Sequence, residues 1–443
     1  MKKLIPFLLW LGMSMPVHAL SFVQMPDQAL LNQAALVLEG EVIGTVPFIK
    51  PPRDYTVYRV DVTRYLKGYG YAEVEVWVPG NIEPDYDAIY DTLVIPGMPR
   101  FTTGDQLLLF LNPRGDDTYA ITQSALGVFY KQQTASGNST ARRPLTGTYE
   151  LPGTGLGVLL PAADQLRDWE GFARWLQVTA AGGNPAPTYW NAAQPGDEPT
   201  TGNFTTLGTP PSRWFQFDSD QNVSFRAHAS GQSGVAGGGF SQFQSGIAAW
   251  DNDPGSNIRY VYGGTTTATA GLCSADGVNA ILFTDAGQAA SCDSDGTFDC
   301  NNGGVIATGG FRTSGTGIFN GVPFNRISEG DIVVNENAGC FLAGNGGSNA
   351  AEVYAHELGH TLGLGHSCGD DGLGVDCALN PTADDALMRA FAHADGRGAD
   401  LRADDEAGAA FLYDASSSGG GAPPPATSGN SRGGGGGAID PLM

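Results

Sequence analysis

The sequence predicts an α+β protein: a small all-β barrel or sandwich, followed by a twisted mixed sheet carrying three helices. Three observations predict it. Short runs rich in β-branched and aromatic residues crowd the first third of the chain. A Gly/Pro/Thr/Asn-rich stretch then interrupts it, and beyond that stretch strand-length apolar runs alternate with helical periodicity. A length of 443 residues accommodates about two or three domains. The 64 glycines and 27 prolines favour turn-rich architecture over a helical bundle.

Lys2 and Lys3 form a short basic region, 4–13 is largely apolar, and Val17-His18-Ala19 is a small-x-small cleavage site. Residues 1–19 therefore read as an export leader, too short to span a bilayer as a stable helix. The chain carries 23 basic and 46 acidic side chains, a net charge of −23, and loss of the leader removes two more lysines. Such a charge repels nucleic acid and anionic lipid. The reading is a secreted protein with no nucleic-acid partner and no membrane insertion.

Residues 20–178 read as the β-domain, with strands at 35–46, 57–67, 72–78 and 106–111. Lys67-Gly68, Pro79-Gly80, Pro96-Gly97 and Asn112-Pro113 punctuate them. The segment 164–178 is helical by the recurrence of Leu166, Trp169, Phe172 and Leu176 on one face. Residues 179–205 are the linker.

The second unit, 206–414, shows helices at 240–250, 352–362 and 401–413, the last with Asp400 as N-cap. Strands are expected at 277–283, 303–307 and 331–334. Residues 415–443 collapse into Ser, Gly and Pro, which build no core. The five-glycine tract resembles the start of a bacterial C-terminal sorting signal, lacking its hydrophobic span and basic end. It reads as a free tail or a cut sorting signal, the latter implying attachment to the cell surface.

All six cysteines (Cys273, Cys292, Cys300, Cys340, Cys368 and Cys377) fall in the second unit. An even count in an exported chain suggests disulfides. Short loops favour Cys368 with Cys377 and Cys292 with Cys300, leaving Cys273 with Cys340. Asp293, Asp295 and Asp299 alternate around Gly296, which suits Ca²⁺; a polar loop bounded by Cys292 and Cys300 explains them as well.

The chemistry resides in His356-Glu357-Leu358-Gly359-His360-Thr361-Leu362-Gly363-Leu364-Gly365-His366. Four residues apart on a helix, His356 and His360 share a face, so two imidazoles can converge on one Zn²⁺. Gly363 tolerates the left-handed conformation that ends a helix and returns His366 as third ligand. Three imidazoles leave an open position, the mark of a catalytic site. Glu357, beside the first ligand, is placed to act as general base on a water. His228 and His393, alone in their segments, read as packed or surface residues.

HELGHTLGLGHS resembles the extended zinc motif of the metzincin metallopeptidases, most closely the matrixin-like branch. The resemblance covers about 206–414 and implies a sheet over helices, a cleft across the zinc and endopeptidase action on protein or peptide substrates. It also implies a structural methionine beneath the metal, which Met388 matches, and a final helix opening at Asp404-Asp405-Glu406. Three features depart from that pattern. Twenty-one residues, including Cys368 and Cys377, separate His366 from Met388. Ala390 stands where some relatives carry a tyrosine, and 20–272 contains no Cys, which excludes a cysteine switch from the N-terminal unit. Two other classes remain open: a surface binding or adhesion protein on an inactive peptidase fold, and a zinc hydrolase of non-peptide amides.

Overall fold

The computed structural model describes residues 21–415 except 51–52, 81–91, 96, 116–117, 134–137, 144–148, 152–165, 191–203, 209, 284–296, 369–376, 378–379, 391 and 394. The expected leader and tail, residues 191–203 of the linker, and Cys292, Asp293 and Asp295 lie outside the described residues.

The first part of the chain runs through β1 (Ser21–Val23), α1 (Asp27–Gln33), β2 (Leu36–Lys50), β3 (Arg53–Lys67) and β4 (Glu73–Pro79). It continues with β5 (Thr92–Val94), β6 (Gln106–Gly115), β7 (Thr118–Ile121), β8 (Val128–Gln133) and β9 (Ser139–Arg142). Then come β10 (Tyr149–Leu151), β11 (Arg167–Asp168) and α2 (Trp169–Ala180). Strands β6-β2-β3-β4-β7 are neighbours in that order, and β7 pairs back onto β6, closing a small barrel. Side-chain alternation sets its faces: in β4, Val74, Val76 and Val78 point into the core while Glu73 and Glu75 are exposed. Strands β8, β9 and β11 extend the sheet beyond the barrel.

Helix α2 buries Trp169, Phe172, Ala173 and Leu176. It starts at Trp169 rather than at 164 because Asp168 is its N-cap, accepting the Gly171 N–H at 2.7 Å. A buried carboxylate ties this end together: Asp27 accepts from Arg143 at 3.1 Å, Arg167 at 2.9 Å and the Tyr189 hydroxyl at 2.9 Å. Burial alone would raise the Asp27 pKa; the two guanidiniums and the hydroxyl outweigh it and hold the carboxyl below its ordinary value.

The second part contains β12 (Ser212–Arg213), β13 (Val223–His228), α3 (Phe240–Asp251), β14 (Tyr260–Thr266) and β15 (Ala280–Leu282). Next come β16 (Gly304–Phe319), β17 (Val322–Val334), α4 (Gly339–Leu342), α5 (Ser348–Thr361), α6 (Pro381–Asp384) and α7 (Ala403–Tyr413). The sheet order is β14-β13-β15-β17-β16, parallel except for the antiparallel β16–β17 pair. The expected short strand at 303–307 is the start of this long hairpin. Its Gly309-Gly310 and Thr313-Ser314-Gly315-Thr316 stretches carry no alternation to read. Asp400 does not cap α7: Arg402 occupies the N-cap, and Asp405 accepts its backbone N–H at 2.8 Å.

Both faces of this sheet are covered. Ile281, Ile306 and Ile332 belong to the core shared with α3 and α5, through Phe243, Ile247, Val353 and Tyr354. Their neighbours Ala280, Leu282, Val305 and Val333 belong to one core with the barrel residues Leu107, Leu109 and Phe129. Double-sided burial explains the unbroken apolar runs Ala280-Ile281-Leu282 and Ile332-Val333-Val334. The barrel is thus packed onto the sheet as a third layer.

Segments that precede the linker also complete that sheet. β1 pairs antiparallel with β16 (Ser21 with Ala307, Phe22 with Val305), and β10 pairs parallel with β1. β5 pairs antiparallel with β16 farther along, Val94 facing Phe311.

Among the described residues two disulfides are defined. Cys368 bonds Cys377 as the short loop suggests. Cys300 bonds Cys340, so the expected pairs Cys292–Cys300 and Cys273–Cys340 are both incorrect; Cys273 is bonded elsewhere. Loop length misled here because Cys340 lies on α4, which folds back beside Cys300: both sulfurs lie near the Asn337 carbonyl.

Candidate active site

Helix α5 carries the site. Every residue from Asn349 to Thr361 is buried, so its position is fixed by packing on all sides. Helix α3 crosses it closely: Gly246 lies against the Ala355 backbone, and the Trp250 indole donates to Ala355 O at 2.8 Å. Its C-terminal end is anchored by Trp214 Nε1 on Thr361 O at 2.8 Å and by the Tyr413 hydroxyl on Leu362 O at 2.5 Å. Gly363 then adopts φ +97°, and a Cβ there would stand 2.2 Å from Ser212 O. Only glycine makes this turn so close to the β12 backbone.

That turn returns the chain to His366. His360 Nε2 lies 2.8 Å from His356 Nε2, which lies 3.1 Å from His366 Nε2. The opposite ring nitrogens are committed: His356 Nδ1 donates to Leu387 O and His360 Nδ1 donates to Leu364 O, each at 2.9 Å. Donation from Nδ1 leaves the Nε2 lone pairs facing one another. Lone pairs at that spacing repel unless a cation lies among them. Tetrahedral Zn–N bonds of about 2.0–2.1 Å set nitrogens about 3.3 Å apart, close to the spacing here. The donor set and its geometry fit a divalent metal. Among the described residues a second group, Cys368, Cys377 and Asp384, clusters at metal-binding distance, but its cysteines are joined to each other.

Met388 packs beneath the helix, with its sulfur where a Cβ on Gly359 would stand. Asp405 holds the turn above it, accepting from Leu387 N at 2.8 Å and Met388 N at 2.9 Å. The same turn supplies the Leu387 carbonyl that orients His356. Asp405 is therefore a positioning residue two hydrogen bonds removed from His356. The sequence offered a hint in the Asp404-Asp405-Glu406 opening of the last helix, without the role.

Glu357 is fully buried beside the triad. Burial pushes its carboxyl up to about 7, against two donors that favour the anion: the Ser21 hydroxyl on Oε1, and the Gly309 N–H on Oε2 at 2.7 Å. Ser21 and Gly309 are contacts that sequence reasoning missed. No local pattern marks a residue that reaches across 336 positions.

The remaining candidates do not join the site. Asp299 accepts from Asn301 N at 2.8 Å and Asn302 Nδ2 at 2.7 Å, bonds that lower its pKa and close a turn. His228 contacts Ser230 at the surface, while the backbone N–H of His393 donates to Glu352 and its ring packs beside the same carboxylate.

Residues 320–412 match the family model described as metallo-peptidase family M12B, reprolysin-like. The matched span contains α5, all three histidines, Glu357 and Met388, and it supports a metallopeptidase of the metzincin type. No curated protein matches the chain.

Proposed function

We propose that this protein is an exported zinc-dependent endopeptidase of the metzincin type, with His356, His360 and His366 as metal ligands and Glu357 as general base. One observation carries the reading: three buried imidazoles bring their Nε2 atoms together beside a buried carboxylate. Within that type, the string HELGHTLGLGHS favours the matrixin-like branch, although the matched model is reprolysin-like.

A zinc ion bound there lowers the pKa of water towards about 7 and polarises a carbonyl. Glu357 takes the proton of the attacking water and returns it to the departing amine. The Gly309 N–H fixes one carboxylate oxygen; the other, which accepts the Ser21 hydroxyl in this structure, is the one a water would use. An extended peptide finds its main-chain partners along β16, whose Gly309 stands next to Glu357.

The disulfides fit an oxidising compartment, in line with export through the 1–19 leader. Among the described residues no helix is long and apolar enough to cross a membrane. The test is digestion of denatured casein by full-length protein with zinc content measured in parallel. Cutting is expected from wild type or, where Ser21 holds the base, from Ser21→Ala, and Glu357→Ala should hold zinc without cutting. Chelation should abolish the activity and zinc restore it. A protein that carries one zinc yet cuts nothing, as wild type and as Ser21→Ala, would instead be a binding protein or a hydrolase of other amides.

A further inference from the structure

The outer edge of β16 is already occupied. β1 covers its first residues, with Ser21, Phe22 and Val23 opposite Ala307, Val305 and Gly304. β5 covers Phe311 to Thr313, and the Val94 carbonyl presses on Gly310 between them. An edge strand beside a hydrolytic centre receives an extended peptide through the same N–H and C=O groups that another strand would take. β1 and β5 therefore stand where substrate backbone must go.

The contact goes beyond backbone pairing. Ser21 donates its hydroxyl to Oε1 of Glu357 while Gly309 donates to Oε2, so both oxygens of the base are engaged. An oxygen that donates a proton to this carboxylate stands where the attacking water must stand. The segment is also anchored: Ser21 is fully enclosed, and Phe22 and Val23 are buried in the two cores that flank the sheet. These three residues are not a frayed terminus.

We propose that β1, assisted by β5, is a built-in strap that fills the peptide-binding edge of β16 and ties up Glu357 through Ser21, so that the folded chain is latent until the strap is displaced. This rests on the metallopeptidase reading and adds its regulation. It needs no thiol, and the stretch from 20 to 272 supplies none. Release requires only that β1 leave the edge, by cleavage near Ser21 or by competition from a tight extended ligand.

The strap also bears on how it can be tested. Because the barrel shares a core with Leu282, Val305 and Val333, cutting away the N-terminal half would expose apolar surface. Full-length protein is therefore used throughout. The probe is a peptide hydroxamate, titrated into zinc-loaded wild type, Ser21→Ala, and the double variant Ser21→Cys with Ala307→Cys. Facing residues of antiparallel strands lie about 4.5–5.5 Å apart, within disulfide reach, so the double variant can be locked by oxidation. Ser21→Ala should bind the probe about tenfold more tightly, the worth of one hydrogen bond of about 1.4 kcal/mol. The oxidised double variant should bind at least about tenfold more weakly than wild type and recover on mild reduction. Equal affinity in all forms, or no binding in any, overturns the strap. Zinc stoichiometry and casein digestion by Ser21→Ala report on the metallopeptidase reading, whereas the strap is read from the affinity differences among the three forms, so strap and enzyme can fail independently.

Discussion

Replacing Asp405 with asparagine tests how the metal ligands are held. Asp405 Oδ2 accepts from Leu387 N and Arg402 N, each at 2.8 Å, and Oδ1 accepts from Met388 N at 2.9 Å. Asparagine keeps the shape but offers one acceptor oxygen. Its best orientation preserves the two bonds on Oδ2 and turns an NH₂ towards the Met388 N–H. One charge-assisted bond, worth about 1.5–3 kcal/mol, is lost, and a buried donor is left facing a donor. The expected cost is about 3 kcal/mol. At about 2–4 °C per kcal/mol for larger domains, the melting temperature should fall by about 6–12 °C. The loss should reach the metal as well, because Leu387 accepts the proton on His356 Nδ1. Loss of such a partner typically weakens metal affinity about 10–100-fold. Differential scanning calorimetry and competition with a fluorescent zinc chelator measure the two effects. An Asp405→Asn protein that melts and binds zinc like wild type would refute the idea that this carboxylate holds the methionine turn.

Two further outcomes follow from the same geometry. Asp27 has a depressed pKa, so its stabilisation is complete above the unfolded value near pH 4 and is lost as pH falls through the folded value. Tryptophan fluorescence, reporting on Trp169 and Trp175, should show an acid transition below about pH 4 that Asp27→Asn flattens; identical acid profiles would count against the buried Asp27–Arg143–Arg167 cluster as its source. Gly363→Ala places a Cβ against Ser212 O at φ +97°, which should cost about 2 kcal/mol or more and weaken zinc binding through His366. Unchanged chelator competition would show that the turn accommodates a side chain.

Much of the site could be read from spacing alone, because its geometry is local. His356, His360 and Glu357 sit on one helical turn, Gly363 reverses the chain, and His366 follows within one short loop; each relation depends on nearby backbone geometry. Met388 was legible by resemblance. What was missed is non-local or lacks periodicity. The β16–β17 hairpin runs through glycine and threonine, whose side chains show no alternation, and Asp405 acts through a turn 17 positions away. The disulfide pairing failed because loop closure favours near partners, whereas the fold sets Cys300 beside Cys340. Ser21 had no signature at all. It matters only because a short strand from the front of the chain lies against a helix near its end.

That arrangement governs the order in which the molecule can assemble. The barrel strands pair largely with sequence neighbours and can form early, as local contacts do. β1 has no such option: its partner strand and the carboxylate it touches are synthesised hundreds of residues later. On a chain emerging N-terminus first, residues 21–23 can pair only with β10 until β16 and α5 are in place. The histidine cluster and the segment that lies against Glu357 are therefore completed in the same late step, and the protein passes through no folded stage in which the one exists without the other at hand.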